Sequence, residues 1–291
     1  MNELSGKGLQ GLDGLVRAPL GRRGLVTTGL ISGFTLATTR VDAQAISTDM
    51  DGIEAGEVMI ASPGFQVPAY FARPKGAGPF PVVVVQEEIF GIHEYIKDTC
   101  RRLAKDGYLA VAPEIYARAG DLNKMTDIQA ILRDFVFKTP DAQAMADLDA
   151  AVVWAGANKG NTARLATTGF CRGGRNTWLY AAHNPKLKAA VAWYGPVGGN
   201  KTEIQPRTAL DVAPMLKAPL LGLYGGRDTG IPVEGVVAAV EAARAAGKKV
   251  ELQIFPDAPH GFHADYRPSY RADAALAGWT RMIAFFKQNG V

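Results

Sequence analysis

Sulfur, imidazole and long apolar runs are all scarce in this sequence of 291 residues. It has two cysteines, Cys100 and Cys171, and four histidines, His93, His183, His260 and His263. No His/Cys/Asp set stands at ligand spacing, so no protein-held metal is expected. Two cysteines allow at most one disulfide. A Cys100–Cys171 bridge is disfavoured because the first falls within a predicted helix and the second at a turn. No Gly-x-Gly-x-x-Gly opens a first strand–helix unit, so a dinucleotide is not expected, and nothing else calls for a cofactor. The formal net charge is only +4 and Lys and Arg form no stripe, which sets nucleic acid aside as a partner. Internal repeats are absent.

What is present is ordinary for a globular protein. Apolar residues make up 47% and charged residues 21%, enough to bury a sizeable core and too apolar for disorder. The first 45 residues differ from the rest. Arg22-Arg23 precede an apolar run, Gly24 to Ala37, too short for an ordinary transmembrane helix, and Ala43-Gln44-Ala45 supplies small residues at −3 and −1 of a cleavage site. The segment 1–45 is read as a twin-arginine-type export signal, although the residues after the pair, Gly24-Leu25-Val26, lack the usual phenylalanine. A mature form starting near Ile46, periplasmic and free of the membrane after cleavage, is the expectation; a cytoplasmic tail is the alternative.

Residues 46–291 read as one α/β domain. Glu57–Ala61 and Val67–Arg73 flank the turn Ser62-Pro63-Gly64 and predict an antiparallel hairpin. The run Val82–Val85 is continuously β-branched, as suits a strand covered on both faces. A helix from Tyr95 to Lys105 stops at Gly107. Further strands are predicted at Leu109–Ala112, Arg164–Phe170, Ala189–Tyr194, Pro219–Tyr224 and Val250–Phe255, with helices at Arg172–His183, Val233–Ala246 and the C terminus. Strands alternating with helices indicate a doubly wound, mostly parallel sheet with helices on both faces.

The chemistry gathers at Gly169-Phe170-Cys171-Arg172-Gly173. Cys171 falls at a strand-to-helix turn, with glycines two places either side. That is the spacing of a nucleophile elbow, where the backbone neighbours approach too closely for side chains. A cysteine there is a strong nucleophile once deprotonated. Asp228 follows one strand, and His260 follows the last. Ligands in open α/β sheets bind beyond the carboxyl ends of strands, and the order Cys, Asp, His is the one α/β-hydrolases use. Asp228 also reads as a helix-capping turn residue. His263 competes with His260 as the base; His260 is favoured because Gly261 behind it leaves room for close approach. The two oxyanion donors would be the N–H after the nucleophile, on Arg172, and that of Ile89, in the loop after Val82–Val85.

These motifs, with Gln86 to Gly91, Pro113-Glu114-Ile115-Tyr116 and Pro259-His260-Gly261-Phe262, resemble the dienelactone hydrolase family of α/β-hydrolases from about Gly56 to the C terminus. The resemblance implies the α/β-hydrolase fold and carboxymethylenebutenolidase-like hydrolysis of an enol lactone, with Cys171 attacking the carbonyl, His260 shuttling the proton and Asp228 orienting the imidazole. It places Glu88 against the resting thiol, to be displaced by substrate, although Glu87 next door leaves that choice open. It offers Arg118, with Tyr116 beside it, for substrate binding. A second family arginine just beyond the catalytic histidine has no counterpart: His263, Ala264 and Asp265 stand there, and the nearest arginine is Arg267. A neutral ester or another lactone is therefore an alternative substrate to dienelactone. A monomer or homodimer is expected, and a non-catalytic small-molecule-binding protein on the same fold is the alternative reading.

Overall fold

The computed structural model describes residues 46–122 and 125–291, so the predicted signal segment lies outside the described residues. Eight strands form one sheet in the order β1-β2-β4-β3-β5-β6-β7-β8. They are β1 (Ile53–Ser62), β2 (Phe65–Pro74), β3 (Phe80–Gln86), β4 (Leu109–Pro113), β5 (Gly160–Phe170), β6 (Ala189–Trp193), β7 (Leu220–Gly225) and β8 (Val250–Phe255). The hairpin β1–β2 is antiparallel, turning at Gly64 with φ 71°, and β2 runs antiparallel to β4. Every other pairing is parallel. The helices are α1 (Glu94–Lys105), α2 (Ile128–Asp134), α3 (Asp141–Ala157), α4 (Arg172–His183), α5 (Ala209–Val212), α6 (Val233–Ala245) and α7 (Ala272–Gln288).

The run in β3 shows why this sheet needs helices on both sides. Successive side chains of a strand point to opposite faces. Val82 and Val84 join one core with α3, α4 and α6, through Leu148, Trp178 and Val240. Val83 and Val85 join the other with α1 and α7, through Ile96, Leu103, Met282 and Phe286. All four valines are fully buried. At about 1.5–3 kcal/mol for each buried aliphatic side chain, this central strand anchors both layers.

That anchoring fixes the turn between β5 and α4. A Cβ on Gly169 would lie 2.6 Å from the Gly173 carbonyl carbon, and one on Gly173 only 2.5 Å from Glu87 O. The obstacles are backbone of the packed sheet and cannot step aside. Gly173→Ala is therefore expected to cost about 2–3 kcal/mol through overpacking. Thermal denaturation should show a fall of roughly 5–10 °C in Tm; a melt indistinguishable from wild type would mean that the turn has slack that its spacing denies.

Candidate active site

Cys171 sits between β5 and α4 with φ 54° and ψ −117°, a left-handed conformation that a non-glycine residue holds only under constraint. Two constraints are visible. The Cys171 N–H donates to Trp193 O at 3.1 Å, tying the turn to β6, and Gln86 Nε2 donates to Thr167 Oγ1 and Thr177 Oγ1 at 2.8 and 3.3 Å, tying β3 to β5 and α4. Both cysteines are free. Burial drives the Cys100 thiol far above its usual range, which keeps it protonated within α1.

Asp228 divides its two oxygens between a turn and a ring. Oδ1 accepts from the backbone N–H of Gly230 and Ile231 at 2.9 and 3.0 Å, closing the turn after β7, while Oδ2 faces His260 Nδ1 at 2.7 Å. A carboxylate can only accept, so Nδ1 carries the hydrogen and Nε2 is left for the thiol side. Burial alone would lower the basicity of His260. The Asp228 charge and the negative form of the nearby Cys171 thiol overcome it and hold the imidazole at about 10. The Tyr194 ring braces the imidazole edge-on, with centroids 5.2 Å apart. Tyr194 itself holds φ 35° at the end of β6, a second strained residue in the same cluster.

His263 goes elsewhere. Its Nδ1 meets Tyr95 Oη at 2.6 Å, and its ring packs against Trp193, Phe170 and Trp279. Burial, with Arg102 beside it, lowers it to about 3, so it stays neutral. The two histidines of one loop are thus separated by environment, one facing a carboxylate and the other caged by aromatics.

The adjacent acids of the Gln86 to Gly91 stretch also part company. Glu87 Oε1 accepts from Ile115 N at 2.9 Å, and burial, with Glu114 nearby, raises its carboxyl well above the usual range. Glu88 faces the site. Burial works to raise it, yet Arg267, His93 and Tyr266 together lower it to about 2. Its oxygens accept from Tyr266 Oη at 2.6 Å and Arg267 Nη2 at 3.0 Å, and meet His93 Nε2 at 3.2 Å. The carboxylate that the resemblance sets against the resting thiol is thus caged by three groups, with the charged guanidinium the strongest of them. Ile89 is fully buried in the loop after β3, and Arg172 opens α4, where a backbone N–H has no partner within the helix.

Arg118 is not brought into this cluster. Its guanidinium forms a two-pronged pair with the fully buried Asp147, touches Ser62 Oγ at 3.4 Å and lies over the Phe65 ring. The buried carboxylate needs that cation, so the substrate-binding role expected of Arg118 gives way to a structural one. Tyr116 does lie near the elbow, buried and within the electrostatic reach of Cys171 and Arg172. The residues that sequence reasoning undervalued are Arg267 and Tyr266, together with Tyr95 and Tyr194. Asking which buried cation could balance Glu88 would have pointed to Arg267.

This geometry has close company among known proteins. The model of the dienelactone hydrolase family matches residues 67–290. A Methylorubrum extorquens protein named "Putative carboxymethylenebutenolidase" is 56% identical over 274 residues, covering 94% of each chain. An Escherichia coli (strain K12) protein of the same name is 54% identical, over 89% of this chain and 96% of its own. The crystal structure of a "Putative Dienelactone Hydrolase" from Klebsiella pneumoniae superposes with a TM-score of 0.80 at 53% identity, covering 82% of this chain and all of that one. With its mostly parallel sheet and helices on both faces, the chain belongs to the dienelactone hydrolase family and is a carboxymethylenebutenolidase-like hydrolase of the α/β-hydrolase fold.

Proposed function

We propose that the enzyme cleaves a lactone or ester through a covalent acyl intermediate on Cys171. The observation that carries this reading is His260, whose Nδ1 is 2.7 Å from Asp228 Oδ2 while Cys171 lies within interaction range of the same buried ring. A base oriented by a third group and in reach of a nucleophile is the arrangement that acyl transfer needs.

In this reading the thiol proton passes to His260 Nε2, and the negative sulfur attacks the carbonyl carbon. The oxyanion that forms is met by the Arg172 and Ile89 N–H groups, each such donor being worth about 3 kcal/mol of barrier. Collapse breaks the ester C–O bond as His260 returns its proton to the leaving oxygen. Water then enters, gives its proton to His260 and attacks the thioester. Release of the carboxylic acid restores the thiol. Asp228 accepts from Nδ1 throughout, holding the ring's tautomer and balancing its charge.

The test is rapid acid quench during turnover of an aryl ester, followed by peptide mass analysis. A mass increase equal to the acyl group on the Cys171 peptide is expected. Product formation with Cys171 bare at every quench time would overturn the covalent route.

A further inference from the structure

Among the described residues, one half-buried arginine is short of an anion. Among the described residues, each other buried or half-buried arginine lies against a carboxylate, as Arg118 does on Asp147, Arg175 on Asp141 and Arg267 on Glu88. Half-buried Arg172 does not. Its Nη2 donates to a neutral acceptor, Gln205 Oε1, at 2.8 Å. That amide cannot turn away, because Gln205 Nε2 donates to both Val136 O and Thr139 O at 2.7 and 2.8 Å. The carboxylate that acts most on Arg172, Asp141, has both oxygens on Arg175, at 2.8 and 2.9 Å. Two guanidiniums therefore share one carboxylate. Burial, with Arg175 beside it, lowers Arg172 to about 10, as expected of a cation held with too little opposite charge.

A second and independent feature stands beside it. Tyr116 is only 2% exposed, and its hydroxyl has no hydrogen-bond partner among the described residues. A buried, unpaired hydroxyl costs about 1–3 kcal/mol, so a protein that keeps one commonly has a use for it. Tyr116 and Arg172 lie in one another's field and in that of Cys171. A fixed, under-neutralised guanidinium and an idle phenol beside a nucleophile make a receptor for a planar anion, since arginine can donate two parallel hydrogen bonds to a carboxylate.

Building on the cysteine-hydrolase reading, we propose that the Arg172 side chain and the Tyr116 hydroxyl bind a carboxylate carried by the substrate, so that the residue following the nucleophile selects anionic lactones and esters. Arg172 would then act twice, its N–H on the oxyanion and its guanidinium on the substituent. This places the recognition that Arg118 is engaged too firmly to provide.

The test uses two alkylating reagents of similar size, iodoacetate and iodoacetamide. Each reacts by forming a bond from Cys171 Sγ to carbon while the carbon–iodine bond breaks and iodide leaves, and peptide mass analysis assigns the adduct. The ratio of the two rates at Cys171 reports anion recognition without requiring turnover. Arg172→Met is expected to lower the iodoacetate preference about tenfold or more, Arg172→Lys to restore part of it, and added salt to erode it in the wild type. Tyr116→Phe should lower it several-fold while leaving Tm unchanged or higher, because it removes an unpaired polar group. Salt dependence in wild type and the Tyr116→Phe result keep the proposal testable if Arg172→Met does not fold. A ratio within about twofold of wild type in both Arg172→Met and Tyr116→Phe would overturn it. Should aryl esters still acylate Cys171 in that case, the hydrolase reading stands and only the anion site falls. A shifted ratio with no ester turnover would leave the reverse, and Cys171 inert to both reagents would overturn both.

Discussion

Cys171→Ala is expected to lower kcat/KM for an aryl ester by about 10⁴-fold or more, with the protein still folded, because removing the attacking atom of a nucleophile–base pair leaves only binding and the oxyanion donors. The substitution deletes one buried sulfur at a position whose backbone is already fixed by the Trp193 carbonyl and the elbow glycines. Its effect on Tm should therefore be small beside its effect on rate. Serine is the more searching replacement. His260 is held at about 10 by the charge on Asp228 and by the negative form of the sulfur. A serine hydroxyl is far less acidic and would leave that imidazole with no stable anion to pair with, so Cys171→Ser should recover only a small part of the loss. Steady-state assays on dienelactone and on a neutral aryl ester, with melting curves for each variant, decide the matter. If the alanine variant kept more than about one hundredth of wild-type turnover, Cys171 would not be the nucleophile.

How much of this could be read beforehand follows from the range of the forces involved. The β3 valines announce a doubly covered strand because burial on both faces leaves no room for polar alternation, and the helix Arg172–His183 is legible from its glycine-marked start. The elbow is local, five residues long, and its glycine spacing is a direct record of backbone contacts. The partition of Glu87 from Glu88 is different. Both follow the same strand, and only the tertiary neighbours, Ile115 for one and Arg267 for the other, separate them. Arg267 is 179 residues from Glu88 in the chain and seven beyond His260, so no local pattern connects the two. Arg118 shows the opposite error. Its motif fits a substrate-binding position, yet Asp147, lying in α3, captures it. Asp228 reads both as a turn-capping residue and as a partner for the imidazole, and its two oxygens divide between the turn and His260.

Arg267→Met should be the most destabilising single change in the site, costing about 3–5 kcal/mol at neutral pH, because it leaves the Glu88 carboxylate buried without its cation. The pH dependence should change sign as well. In the wild-type protein Glu88 is held at about 2, below its ordinary value of 4.5, so its contribution is fully present above 4.5 and is lost as pH falls through 2. That difference corresponds to about 3 kcal/mol. Without Arg267 the strongest cause left is burial, which raises the carboxyl. The folded state of the variant then binds a proton that the unfolded chain has released, and its stability should fall as pH rises from about 5 to 7, where that of the wild type is flat in this group. Urea denaturation across this range reads both slopes. Adding Glu88→Gln to the variant should return much of the lost stability and remove the slope, since a neutral amide needs no cation. A variant as stable as wild type at pH 7, with the same pH profile, would mean that His93 and Tyr266 alone suffice to hold the charge.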